Sequence, residues 1–158
     1  MRCNTFSISG NGKVCEDYIL YETLSNEYSI AIMADGMGGL SHGNVAATIV
    51  SKTIFDFIST NFSINEPYEL LRKAFDIANE SILQKEYDHV IEFDEISLLT
   101  RCINGKGYKE PIPIKVELLK KGDTIYLCSD GYYKNTTTIG SHYLEIIGDD
   151  ASMIEIKI

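Results

Sequence analysis

Four times along the chain an acidic residue stands where an apolar strand meets a loop, and this pattern constrains the fold most. Glu16-Asp17 precedes the run Tyr18-Ile19-Leu20-Tyr21, and Tyr28-Ser29-Ile30-Ala31-Ile32-Met33-Ala34 ends on Asp35-Gly36. Ile125-Tyr126-Leu127-Cys128 ends on Ser129-Asp130-Gly131, and Asp149-Asp150 precedes Ile154, Ile156 and Ile158 in alternation. Short runs rich in β-branched and aromatic residues read as strands. Asp-Gly is a favoured turn pair by itself, so each acid taken singly reads as a turn residue. Taken together, the four converge if their strands share a sheet or a sandwich edge. Buried carboxylates that converge repel one another and need protons or a cation.

The elements between these points set the class. Leu24-Ser25-Asn26-Glu27 reads as a hairpin loop, and Asp35-Gly36-Met37-Gly38-Gly39 as a loop that no regular element can hold. Asn44 is the expected cap of a first helix, with Ala46, Val50, Ile54 and Phe57/Ile58 at helical spacing. Asn65 as cap and Pro67 in the first turn announce a second helix, with Leu71, Phe75, Ala78 and Ile82 as its apolar stripe. Ile112, Ile114, Val116 and Leu118 alternate as in a half-buried strand, whereas Ile125–Cys128 reads as a strand buried on both faces. Strands, two helices, then strands make an α+β chain, not a βαβ repeat. Without repeats or linkers, residues 1–158 read as one domain.

Composition removes several function classes. The chain carries 14 basic and 23 acidic residues, net −9, which is no footprint for a phosphate backbone or an anionic membrane. The longest apolar run, Ile30–Ala34, is too short to span a bilayer, and the N-terminal residues lack the apolar core of a signal peptide. Cys3, Cys15, Cys102 and Cys128 form no C-x-x-C pair and have no His beside them, so they read as reduced thiols of a cytoplasmic protein. A thiolate phosphatase needs C-x₅-R to cradle phosphate. Counted from Cys128, the Arg position holds Lys134, and Asp130 within that loop would repel phosphate, which argues against this chemistry. Gly36-x-Gly38-Gly39 is not G-x-G-x-x-G, and no parallel return strand follows, which argues against dinucleotide binding. His42 after the glycine-rich loop reads equally as a general acid or a loop residue.

An acid-rich site with no nucleophile beside it suits hard divalent cations. Mg²⁺ and Mn²⁺ take carboxylates, backbone carbonyls and waters, and Gly36 lets its carbonyl approach closely. Two such ions about 3.5–4 Å apart activate a water for in-line attack on phosphorus.

At this point the residues match a known pattern. Met33-Ala34-Asp35-Gly36-Met37-Gly38-Gly39 resembles the Ala-Asp-Gly-Met-Gly-Gly motif of the bacterial metal-dependent protein Ser/Thr phosphatases, the PPM or protein phosphatase 2C family. Glu16-Asp17 sits at that family's Asn-Glu-Asp motif, Leu127–Gly131 resembles its Leu-Cys-Ser-Asp-Gly, and Asp149–Ile154 resembles its terminal Asp-Asn-x-Thr-Val-Ile. The resemblance covers about residues 10–60, 97–133 and 148–158. It implies an antiparallel β-sandwich with helices on at least one face and two Mn²⁺ or Mg²⁺ ions between the sheets. It further implies that Asp35 bridges both ions, with the Gly36 carbonyl and Glu16 on one and Asp130 and Asp149 on the other. Asp17 would bind or orient water, and Asp35 and Asp17 carry the catalytic roles. The implied substrate is a phosphoserine or phosphothreonine of a protein, in signalling.

The departures are specific. The family's phosphate-gripping Arg falls at Gly12, so Lys13 is the expected phosphate contact, as a point charge without the Arg fork. The family's central Gly-x-Thr strand and Gly-Asp-Ser segment have no match, so the chain reads as an internally shortened member. Its helices suffice for one sheet face, and large apolar faces are seldom left in water, which leads to the expectation of a homodimer. The alternative to an active enzyme is a weak or inactive metal-binding pseudophosphatase that serves as a regulatory interaction module.

Overall fold

The computed structural model describes residues 1–10, 14–37, 42–63, 65–87, 103, 119–140 and 148–158. Lys13, Gly38, Gly39 and the strand expected over residues 112–118 lie outside the described residues. The class is α+β, as expected, and the described residues form two antiparallel sheets and a helical layer.

The first sheet is a hairpin of β2 (Tyr18–Thr23) and β3 (Ser29–Ala34), joined where Leu24 and Ser25 donate their N–H groups to the Tyr28 carbonyl. Alternation along β3 sends Ile30 and Ile32 toward the helices and Met33 to the opposite face, where it lines a pocket. Helix α1 (Gly43–Asn61) lies on this hairpin and against α2 (Pro67–Tyr87). Val50, Ile54 and Ile58 of α1 meet Ala74, Ala78 and Ile82 of α2 in the main core.

Both helix starts differ by a residue or two from the sequence reading. His42, not Asn44, caps α1: its carbonyl accepts the Ala46 N–H at 3.0 Å, and Asn44 lies inside the helix. The Glu66 carbonyl accepts the Leu70 N–H at 3.0 Å, so Glu66, not Asn65, takes the cap position before Pro67. The stripe on α2 is also rotated. Ala74 is fully buried and Leu71 is exposed, because two small alanines facing α1 allow the closest helix approach.

The second sheet has the order β1-β5-β4, from β1 (Arg2–Ile8), β5 (Ala151–Lys157) and β4 (Thr124–Cys128). β5 is the middle strand, and Ala151 to Ile154 are all buried. β4 is only half-buried and exposes Tyr126, contrary to the reading of a strand covered on both faces. One face packs Phe6, Ile8, Cys128, Ala151 and Met153 around Tyr132 of α3 (Asp130–Tyr133), a single helical turn that the sequence reading does not contain. Phe6 and Tyr132 meet edge-on at 6.0 Å. The Tyr132 hydroxyl accepts the Gly140 N–H at 3.1 Å, so its one polar atom is satisfied.

Candidate metal centre

Register brings the four acidic points together. Tyr18 pairs with Ala34, so Asp17 and Asp35 leave the first sheet side by side. In the second sheet Cys128 pairs with Met153 and Ile8 with Ala151, so Asp130 and Asp149-Asp150 emerge at one end. β2 touches β5, which sets the two ends against each other. Between them opens a pocket of about 360 Å³ lined by Met33, Asp35, Leu127, Cys128, Ser129 and Asp130.

Two glycines make the approach possible. A Cβ on Gly36 would stand 2.5 Å from the Glu16 carbonyl oxygen and 2.6 Å from the Gly43 carbonyl oxygen. A Cβ on Gly131 would overlap the Asp150 carbonyl oxygen and lie 3.2 Å from the Asp149 Cβ. Any side chain at either place would force motif segments apart. Glu16 turns its carboxyl toward Gly43, the first residue of α1, where helical N–H groups lack intrahelical partners and favour negative charge.

The carboxylates act on one another. Asp35 has its pKa pushed up to about 7, first by desolvation, then by the charges of Asp17 and Asp130, a hydrogen bond with Asp130 and the charge of Asp149. It remains open to solvent on the pocket side, so partial burial and crowding act together. Burial also raises Asp17, and Asp150 and Asp149 raise it further, while the nearby Ser152 and Ser129 hydroxyls oppose them. Neither hydroxyl reaches hydrogen-bonding geometry, and both carboxylate oxygens of Asp17 are buried without a hydrogen-bond partner. Asp130 moves the other way: Lys134 Nζ stands 2.5 Å from its Oδ2 and holds it below the usual carboxylate range.

Asp149 and Asp150 divide their roles. Asp150 spends both oxygens on main-chain donors, accepting the Gly10 N–H at 2.7 Å and the Glu16 N–H at 2.5 Å. Asp149 Oδ1 accepts the Asp150 N–H at 2.9 Å. The sequence reading assigns neither Asp150 nor Lys134 to the site. Lys134 was legible as a cation four residues past Asp130, but the helical turn that brings the two together was not. His42 adopts φ 80° and ψ 21° as the cap of α1 and makes no side-chain capping bond.

Among the described residues, no group of three or more His, Cys, Asp and Glu side chains is arranged to hold a metal ion. Like charges resist closer approach without a cation. The donor set nevertheless fits a hard divalent ion: all-oxygen, converging, and containing two buried oxygens that no proton donor satisfies.

A protein-family model described as Protein phosphatase 2C matches residues 7–111, which include Glu16, Asp17, Asp35 and Gly36. No curated protein matches the chain. Solved structures share the fold, among them these two. One is described as PppA, a key regulatory component of T6SS in Pseudomonas aeruginosa, with TM-score 0.67 and 16% identity over 99% of this chain and 96% of that one. The other is RsbX in complex with magnesium, with TM-score 0.63 and 14% identity over 97% and 92% of the two chains.

Proposed function

Because the chain belongs to the protein phosphatase 2C family, we propose that it hydrolyses phosphoserine or phosphothreonine in a partner protein, using Mn²⁺ or Mg²⁺. The observation that carries this reading is the meeting of Asp17, Asp35, Asp130 and Asp149, with Asp35 shifted to about 7 and Asp17 buried without a hydrogen bond. Glu16, Asp17, Asp35, the Gly36 carbonyl, Asp130 and Asp149 would hold two ions. When bound, such ions supply Lewis acidity and make water a competent nucleophile at neutral pH. The RsbX structure contains magnesium, which supports the choice of a hard cation.

The chain's own residues prepare this chemistry. Asp35, raised by desolvation and then by its acidic neighbours, would exchange its proton for a bound cation. Asp17 lines one wall of the site with two carboxyl oxygens closed to solvent. Lys134 offsets Asp130, and Lys13 is proposed to meet the phosphate. The setting proposed is cytoplasmic, in keeping with the free thiols of Cys3, Cys15 and Cys128, and regulatory, in keeping with the role given for PppA. No described helix is long and apolar enough to cross a membrane.

The second reading, a metal-binding regulatory module without turnover, is favoured by one observation: the Asp130 carboxylate already has an internal cation on it. A homodimer through the exposed Tyr126, Tyr133 and Ile139 is part of the proposal, although the chain's own Tyr132 covers part of that sheet face. Mn²⁺-dependent phosphate release from a phosphopeptide, present in wild type and lost in Asp35→Asn, is the expected result. Mn²⁺ binding by calorimetry without turnover would select the module.

A further inference from the structure

We propose that Lys134 is a phosphate contact of the metal centre, its ammonium passing from Asp130 to the substrate's phosphate when that carboxylate takes a cation. This rests on the metal-centre reading above, and it supplies part of the grip missing with Gly12 in place of an Arg. Lys134 closes the single turn α3, where its N–H donates to the Asp130 carbonyl at 3.0 Å. Asn135 Nδ2 donates to the Gly131 carbonyl at 2.8 Å, and the fully buried Tyr132 anchors the same turn. The main chain of Lys134 is thus fixed beside Asp130, while its side chain is 60% exposed and its Nζ stands 2.5 Å from Asp130 Oδ2. Asp130 lines the pocket together with Asp35, so the ammonium lies at the pocket's rim. Register keeps the other cations of the second sheet away. Arg2 pairs with Lys157, and Lys157 with Thr124, at the end of the sheet opposite Asp130 and Asp149. Lys120 and Lys121 lead into that same far end, and Arg72 and Lys73 are engaged by Glu69 on α2.

The charges call for such a group. A phosphorylated side chain brings a charge of about −1.5 to −2 at pH 7. Two divalent ions fall short of neutralising the carboxylates of Glu16, Asp17, Asp35, Asp130 and Asp149, so a further cation is needed for phosphate to approach. Lysine suits the exchange: it is a compact charge with three donors on a flexible stem, able to leave one oxyanion for another close by. Once Asp130 serves a cation, the ammonium loses its partner and is repelled from that oxygen. The phosphate oxygens at the rim then take its donors, and no charge is left bare.

Calorimetry tests this, with inorganic phosphate titrated into the Mn²⁺-loaded wild type, Lys134→Met, Lys134→Arg and Lys13→Met. Lys134 is exposed, so its variants are expected to melt with the wild type. Mn²⁺ is titrated first in each, which separates a lost phosphate contact from a lost metal. The expected Lys134→Met binds Mn²⁺ no more weakly than wild type but phosphate about fivefold or more weakly, between the strength of an exposed ion pair and that of a hydrogen bond to a charged group. Its KM for p-nitrophenyl phosphate rises by a similar factor while kcat changes by less than about twofold, because the ammonium holds bound and reacting phosphate alike. Lys134→Arg keeps the charge and holds phosphate within about twofold of wild type. Unchanged phosphate affinity in Lys134→Met, or a loss confined to Lys13→Met, overturns the proposal. So does a wild type that binds Mn²⁺ but no phosphate, which leaves the metal reading standing. A wild type that binds no Mn²⁺ refutes the metal reading itself, and the role of Lys134 falls with it.

Discussion

Replacing Asp35 by Asn is expected to raise the stability of the metal-free protein and to abolish the stabilisation conferred by Mn²⁺. The Asp35 carboxyl is pushed from 3.8 to about 7, chiefly by desolvation and then by Asp17 and Asp130. Between those values the folded protein holds a proton that the unfolded chain has released. The stability this proton represents is complete below 3.8 and is lost as the pH rises through about 7. At about 1.4 kcal/mol per pH unit the full effect is about 4 kcal/mol, and solvent screening of this open side chain reduces it to about 1–2 kcal/mol. A neutral amide of the same shape escapes the penalty. For a chain of this size the gain is about 2–8 °C in melting temperature, and it should shrink as the pH is lowered toward 4. Mn²⁺ reverses the ranking: free ion at a hundred times Kd adds about 2.7 kcal/mol to the wild type and little to the variant. Thermal melts by circular dichroism, in EDTA and in Mn²⁺ at pH 7.5 and 4.5, read both effects. A variant no more stable than wild type in EDTA at pH 7.5 refutes the crowding of carboxylates around Asp35. A variant that Mn²⁺ stabilises as much as wild type refutes the place of Asp35 in the centre.

Lys134→Met removes the cation 2.5 Å from Asp130; both side chains are solvent-exposed, so Mn²⁺ binding should tighten only about two- to fivefold by calorimetry. Gly36→Ala would drive a Cβ into the Glu16 and Gly43 carbonyls, with an expected loss of about 1–3 kcal/mol in urea unfolding and of metal-dependent turnover. Mn²⁺ affinity of the wild type should fall as the pH drops from 7.5 to 6, because Asp35 then holds a proton that the ion must expel. Calorimetry in two buffers of different ionisation enthalpy would show that proton release, and equal heats in both would contradict it.

What could be read from the sequence was local. An apolar run that begins after an acid or ends on one fixes a strand and the acid beside it, so β2, β3, β4 and their acids were legible. The N-terminal strand was not, because Arg2, Asn4, Thr5 and Ser7 put polar residues on both of its faces and its pairing with β5 has no local signal. Asp150 is hidden for the same reason. Its partners are the N–H groups of Gly10 and Glu16, some 140 and 134 residues away in sequence, and a main-chain donor has no residue type to betray it. The rotation of the α2 stripe came from packing: Ala74 gains burial only because α1 lies across it, a fact of tertiary contact and not of periodicity.

The placement of β5 between β1 and β4 ties competence to the completion of folding. Joining strands from the two extremes of the chain closes a very long loop, which is entropically costly and slow. Asp149 and Asp150 arrive only with that closure, and Asp17 meets its Ser152 neighbour at the same moment. A partly folded chain, with its helical hairpin formed but its last strand unpaired, holds only half of the proposed metal site. Cleavage anywhere within residues 148–151 is therefore expected to silence the protein while leaving the helical layer intact.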